Sequence, residues 1–204
     1  MTDFEKRVLP AQHCELRAIA GENGESVPRI AGYGAVFKMR SDPIYGAFVE
    51  EIAPGAFDKV LDQDVRGLFN HDPNYLLGRT KSGTLRLSVD ARGLAYEIDP
   101  PDTQTVRDLV LTPLARGDMT GSSFTFRVAS GGETWAEKDG VIVRTIYEFA
   151  ELRDVGPVAF PAYPDATAAQ RSLDAWKQAQ RENLPARAIN ERAARLRFLE
   201  MINA

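Results

Sequence analysis

The sequence predicts an α+β fold that is mostly β: a barrel or sandwich of short strands decorated by a few helices, with a C-terminal helical tail. Three observations lead there. Short runs within residues 1–165 alternate apolar and polar side chains, the period-2 pattern of half-buried strands. Clusters of glycine, proline or aspartate, such as Lys81-Ser82-Gly83 and Ser130-Gly131-Gly132, separate these runs and suit hairpin turns. Residues 166–204 contain no glycine and read as helix.

Taken in order, the strand candidates are Cys14–Ile19, Arg29–Phe37, Val65–Asn70, Thr84–Val89, Leu94–Ile98, Gly121–Val128, Val141–Phe149 and Asp154–Phe160. Two stretches between them read as helix. Pro54-Gly55-Ala56-Phe57 leads into a short one near Phe57–Leu61. Pro101-Asp102-Thr103 leads into a longer one near Gln104–Arg116, with Val106, Leu109, Val110 and Leu114 on one face. In the tail, Asp165 or Thr167 can cap a helix through Trp176, and Pro185 fits the first turn of a second through Ile202. Ile189, Ala193, Leu196 and Leu199 form its apolar stripe. The tail from Arg171 onward carries a net +3, which leaves −7 for the rest of the chain. Such a charged helical segment is either a solvated face or a docking or oligomerisation arm. The expected organisation is one domain over residues 1–165 and a helical tail over 166–204.

Composition excludes several classes of function. With 204 residues, 44% hydrophobic and 26% charged, the chain has the make-up of a globular domain that needs no staple to hold its core. Cys14 is alone, so an intramolecular disulfide and a CxxC zinc site are excluded, and a reducing compartment is expected. The two histidines, His13 and His71, lack HExxH spacing and make no recognisable metal site. No metal or other cofactor is therefore expected. A net charge of −4 argues against a general nucleic-acid-binding surface. No run approaches the 18 apolar residues of a membrane span, and the acids after Met1 do not suit a signal peptide. Use inside a cell, away from membranes, is the expectation.

His71 sits in Leu68-Phe69-Asn70-His71-Asp72-Pro73, where a strand ends in a turn. A histidine there leaves the ladder and can face a substrate, and its side chain titrates near neutrality. The bland alternative is a turn histidine bonded to Asp72. Ser123 lies in Gly121-Ser122-Ser123-Phe124-Thr125-Phe126. Phe124 and Phe126 share one strand face with Ser122, whereas Ser123 shares the other with Thr125. A serine needs a base to take its proton, and an imidazole base works better when a third group holds its tautomer. Glu148, Glu151 and Asp154 are the carboxylates that could serve. These residues permit a serine hydrolase without demanding one; no Gly-x-Ser-x-Gly elbow is present.

Four blocks between Gly32 and Thr167 resemble the prohead (capsid-maturation) serine protease family of tailed bacteriophages. They are Gly32-Tyr33-Gly34-Ala35-Val36-Phe37 with Phe48–Phe57; Asn70-His71-Asp72-Pro73 with Leu77-Gly78-Arg79-Thr80; Arg116-Gly117-Asp118 with Gly121–Phe126; and Leu152–Pro164. The blocks occur in the family's order and cover about two-thirds of the chain. The resemblance implies a fold like the herpesvirus maturation protease, a β-barrel surrounded by helices. It implies His71 as the base, Ser123 as the nucleophile and Asp154 as the third catalytic member, with Glu151 and Glu148 behind it. Two departures stand out: Ser122 replaces a larger apolar residue, and Asp154-Val155-Gly156 replaces a glutamate-valine-serine run.

The activity implied is a serine endopeptidase that cleaves the capsid or scaffold protein, and itself, inside the assembling procapsid in the host bacterial cytoplasm. A homo-oligomer is expected, with the tail targeting the enzyme, joining copies or being trimmed by self-cleavage. Oxyanion donors are sought among backbone amides near Ala162 or in the Arg116–Met119 loop. The alternative is a non-catalytic capsid assembly or scaffolding module with the same fold.

Overall fold

The computed structural model describes residues 3–9, 13–21, 23–160 and 167–182. The described residues form an α+β, mostly β, structure of three sheets. The first sheet has the order β1 (Glu5–Leu9), β9 (Gly121–Val128), β12 (Phe149–Val158), β5 (Arg66–Leu68), β6 (Leu76–Arg79). The second is β2 (Cys14–Ala20), β3 (Ser26–Val36), β8 (Gly93–Ile98), β7 (Leu85–Val89). The third is β10 (Glu133–Lys138), β11 (Val141–Ile146), β4 (Val49–Ile52). Pairings are antiparallel except β12 with β5 and β11 with β4. A parallel bridge between Phe37 and Ile52 joins the end of β3 to β4.

Period 2 alone does not describe β9, because both of its faces are buried. Phe124 and Phe126 enter an aromatic cluster with Phe57 and Phe149, with ring centroids 4.5–6.1 Å apart. Edge-to-face and offset pairs of this kind contribute beyond their buried area. On the opposite face, Ser123 and Thr125 are also buried. Four strands were not expected from the sequence: β1, β4, β6 and β10. In β1 two of the three inward positions, Glu5 and Arg7, are charged and only Leu9 is apolar, which conceals the alternation from a hydrophobicity count.

The short helix expected at Phe57–Leu61 is not formed. A chain of three-residue turn bonds replaces it: Asp58 N–H to the Gly55 carbonyl, Val60 N–H to Phe57, and Gln63 N–H to Val60. Five residues are too few to repay a helix nucleus, and Gly55 adopts φ 87° at the entry. Phe57 and Val60 are nonetheless fully buried.

The longer helix spans the expected residues but changes pitch. Helix α1 (Gln104–Val106), capped by the Thr103 hydroxyl, continues through a π turn (Arg107–Leu111) into α2 (Thr112–Arg116). Pro113 has no N–H to return to the fourth residue before it, and a wider turn accommodates that gap. The extra residue rotates the face. Val106, Val110, Leu111 and Leu114 are buried, and Leu109, expected inside, is 43% exposed.

The chain divides into two compact units, Met1–Ala168 and Ala169–Ala204. Helix α3 spans Thr167–Glu182 and runs past Trp176. The helix expected from Pro185 to Ile202, and Asp165, lie outside the described residues. Among the described residues, no helix is long and apolar enough to cross a membrane.

Candidate active site

His71 leaves the ladder just beyond β5. Asn70 and His71 both adopt left-handed backbone, with φ of 54° and 60°. Most side chains avoid that region, although Asn and His tolerate it better than most. Such residues cost on the order of 1–3 kcal/mol each and persist where their surroundings hold them. Here the holding is visible. The Asn70 N–H donates to the Pro157 carbonyl (3.1 Å), and the Ala159 N–H donates to Asn70 Oδ1 (2.9 Å). The Asp72 N–H closes the turn on the Phe69 carbonyl (3.0 Å). Two of these bonds reach the end of β12, the strand that carries Asp154.

Sheet register completes the assembly. On β9, Ser123 and Thr125 are two residues apart and share a face. Across from them on β12 stand Gly156, opposite Ser123, and Asp154, opposite Thr125. A register shift between Leu152 and Asp154 inserts Arg153 as an extra residue, a bulge that re-aims the side chain after it. On its other side β12 pairs with β5, Asp154 lying opposite Arg66. Gly156 permits the close approach of these strands: a Cβ there would lie 2.1 Å from the Leu68 carbonyl oxygen. Three adjacent strands thereby bring together side chains 83 and 52 residues apart in sequence.

The His71 ring lies in hydrogen-bonded series between the other two. Its Nδ1 is 2.5 Å from Asp154 Oδ1, and its Nε2 is 2.6 Å from Ser123 Oγ. An ionised carboxylate only accepts, so the proton belongs on Nδ1, which leaves Nε2 to accept from the serine hydroxyl. Ser123 is fully buried, and the side chains of Asp154 and His71 are 5% and 12% exposed. In such a dry setting, these bonds are stronger than they would be in water. The Ser123 hydroxyl has a second acceptor, the Arg7 carbonyl of β1, at 2.8 Å. One proton serves two acceptors, so its position decides whether the imidazole is engaged.

The other candidates are occupied elsewhere. The Ser122 hydroxyl donates to the Tyr96 hydroxyl (3.0 Å) on the opposite face of β9. Glu148 pairs with Lys59 (2.9 Å) and Glu151 with Arg127 (2.5 Å). In the Arg116–Met119 loop, the amides of Gly117, Asp118 and Met119 bond back to the Leu114 and Pro113 carbonyls. Those three amides are therefore committed to their own turn. Ala162 lies outside the described residues. His13 lies just before β2, near Arg92 (3.2 Å), where burial and that guanidinium lower its pKa. Among the described residues, no group of three or more His, Cys, Asp and Glu side chains could hold a metal ion.

A second buried polar cluster adjoins β9 through β1. Arg7 donates to Glu50 (2.8 Å) and Glu5 (2.6 Å). Arg144 donates to Glu5 and Glu50 (2.8 Å each) and to Glu133 (2.7 Å). Burial alone would raise the Glu50 pKa, but the Arg7 and Arg144 guanidiniums hold it below the usual carboxylate range. Sequence reasoning missed this cluster, because a buried ion pair carries no periodic signal.

A hydroxyl, an imidazole and a carboxylate in bonded series form the working part of hydrolases that pass an acyl group through a serine. The family comparison points to a protease. The chain belongs to the Caudovirus prohead serine protease family, whose model matches residues 12–179. No curated protein matches it. A solved structure, the capsid assembly protease gp21 of bacteriophage T4, is also matched. That match has 13% identity and a TM-score of 0.42, and it covers 76% of this chain and 99% of that one. Family membership supports a protease role in capsid maturation.

Proposed function

We propose that the chain is a serine endopeptidase that cleaves capsid or scaffold protein, and its own chain, inside the assembling procapsid. The observation that carries this reading is the bonded series Ser123–His71–Asp154. In the proposed reaction, Ser123 Oγ attacks the scissile carbonyl carbon while His71 Nε2 takes its proton. The tetrahedral intermediate collapses, the C–N bond breaks, and His71 returns the proton to the leaving amine. Water, deprotonated by His71, then attacks the acyl-serine carbonyl carbon; the C–Oγ bond breaks, His71 returns the proton to Ser123 Oγ, and the new carboxyl terminus is released. Asp154 keeps the Nδ1 proton in place and stabilises the imidazolium formed in each half. For the first step, the serine proton must face Nε2 rather than the Arg7 carbonyl.

On the same reading, the three sheets are the herpesvirus-protease-like barrel, and residues 166–204 form a tail for targeting, oligomerisation or self-cleavage. The family match and the shared burial of strands from all three sheets in one hydrophobic core support the barrel reading.

The test is to co-express the chain with the major capsid protein of its particle and map new N-termini by mass spectrometry. Wild type and Ser122→Ala are expected to process the capsid protein, and Ser123→Ala is expected to leave it full length. Processing by Ser123→Ala would overturn the reading.

A further inference from the structure

We infer that Thr125 is a positioning residue for this chemistry: its hydroxyl holds the His71 ring in the orientation that presents Nε2 to Ser123. The inference rests on the proposed roles of Ser123 and His71. Its basis is a contact those roles do not use. Thr125 Oγ1 lies 3.1 Å from His71 Nδ1, beside the 2.5 Å contact of the same nitrogen with Asp154. Because Nδ1 carries its proton, it has no lone pair to offer, so the threonine hydroxyl accepts. The Nδ1–H is thus shared between Asp154 on β12 and Thr125 on β9.

The need for a second brace follows from where His71 stands. Its backbone is in the left-handed region at the tip of a turn, outside the sheet ladder. The torsion that sets the plane of an imidazole is broad. A single bond to Asp154 fixes the distance of Nδ1 but leaves the ring free to swing about that contact. Adding Thr125 from the neighbouring strand gives Nδ1 two anchors, and a ring seated on both directs Nε2 at Ser123, two residues from Thr125 on the same face. Strand pairing makes this dependable, because Asp154 and Thr125 are direct cross-strand partners. Thr125 is 2% exposed, and among the described residues its hydroxyl bonds only to His71. A purely packing role would be served equally by valine.

The experiment compares wild type, Thr125→Val, Thr125→Ala and Thr125→Ser on a peptide spanning a mapped cleavage site, with Ser123→Ala as control. For Thr125→Val, kcat is expected to fall about tenfold, the value of one lost hydrogen bond. KM is expected to stay within about twofold, since the contact is with the enzyme's own ring and not with substrate. Thr125→Ser, which restores the hydroxyl without the methyl, is expected to recover most of kcat. Thermal unfolding of each variant separates this pattern from a loss of fold, and Thr125→Ala replaces the valine variant should the latter not fold. A hydroxyl-free variant with wild-type kcat would overturn the assignment, as would a serine variant as slow as valine or alanine. An inactive Ser123→Ala in the same series leaves the underlying reading standing, whereas an active one overturns that reading first.

Discussion

Asp154→Asn is expected to keep the fold and to lower the rate of peptide cleavage about 10⁴-fold. The substitution is nearly isosteric but removes the charge that an imidazolium needs beside it. It also supplies an N–H₂ group that can donate to Nδ1, 2.5 Å away in the wild type. Donation there forces the ring proton onto Nε2, which can then no longer accept from Ser123. The hydroxyl proton is left to the Arg7 carbonyl, already 2.8 Å from Ser123 Oγ. Unfolding temperature and kcat are measured together. A kcat within tenfold of wild type, with an unchanged unfolding temperature, would mean that the carboxylate does not orient the base.

The second large effect concerns stability. Arg144→Met is expected to destabilise the protein by about 3–5 kcal/mol, the usual result of breaking a buried ion pair from one side. Arg144 is 1% exposed, and its loss leaves the buried Glu5 and Glu50 carboxylates with Arg7 as their remaining shared cation. A domain's whole stability is on the order of 5–15 kcal/mol, so the urea midpoint should fall by a large fraction. Adding Glu50→Met should recover part of the loss, because the orphaned charge is the main penalty. The network also carries a pH signature. Glu50 is held below its unfolded pKa, so its contribution is fully present above about pH 4–5 and is lost as pH falls through the folded value. An Arg144→Met midpoint equal to wild type would show that the cluster contributes little.

His71 and Ser123 were legible in the sequence for different reasons. The Asn-His-Asp-Pro turn placed a histidine at a strand end, and the structure shows why it can stay there: Asn70 ties the strained turn to Pro157 and Ala159. Alternation on β9 separated Ser123 from Ser122, and the two hydroxyls do point to different partners, His71 and Tyr96. Choosing among three acids was beyond local pattern. The bulge at Arg153, invisible to periodicity, aims Asp154 at the ring, whereas Glu148 and Glu151 are taken up by Lys59 and Arg127.

The misses share one physical origin, interactions distant in sequence that override local rules. Glu5 and Arg7 look like solvent-facing residues until Glu50 and Arg144 arrive from β4 and β11 to neutralise them. Pro113 widens one helical turn and exchanges Leu109 for Leu111 on the buried face. The turns at 54–62 bury Phe57 and Val60 without the helix that their spacing suggested. Thr125 could have been flagged, since it shares a face with Ser123, but nothing local showed that His71 would reach it.

The central claim is that Ser123 and His71 act as one device, and a double-mutant cycle tests it most directly. Residual cleavage rates are measured for Ser123→Ala, His71→Ala and the double variant on one capsid-derived peptide. Residues that work only as a unit are grossly non-additive, so the double variant should be no slower than either single one. Losses that multiply, with the double variant slower by the product of the two single effects, would contradict the account.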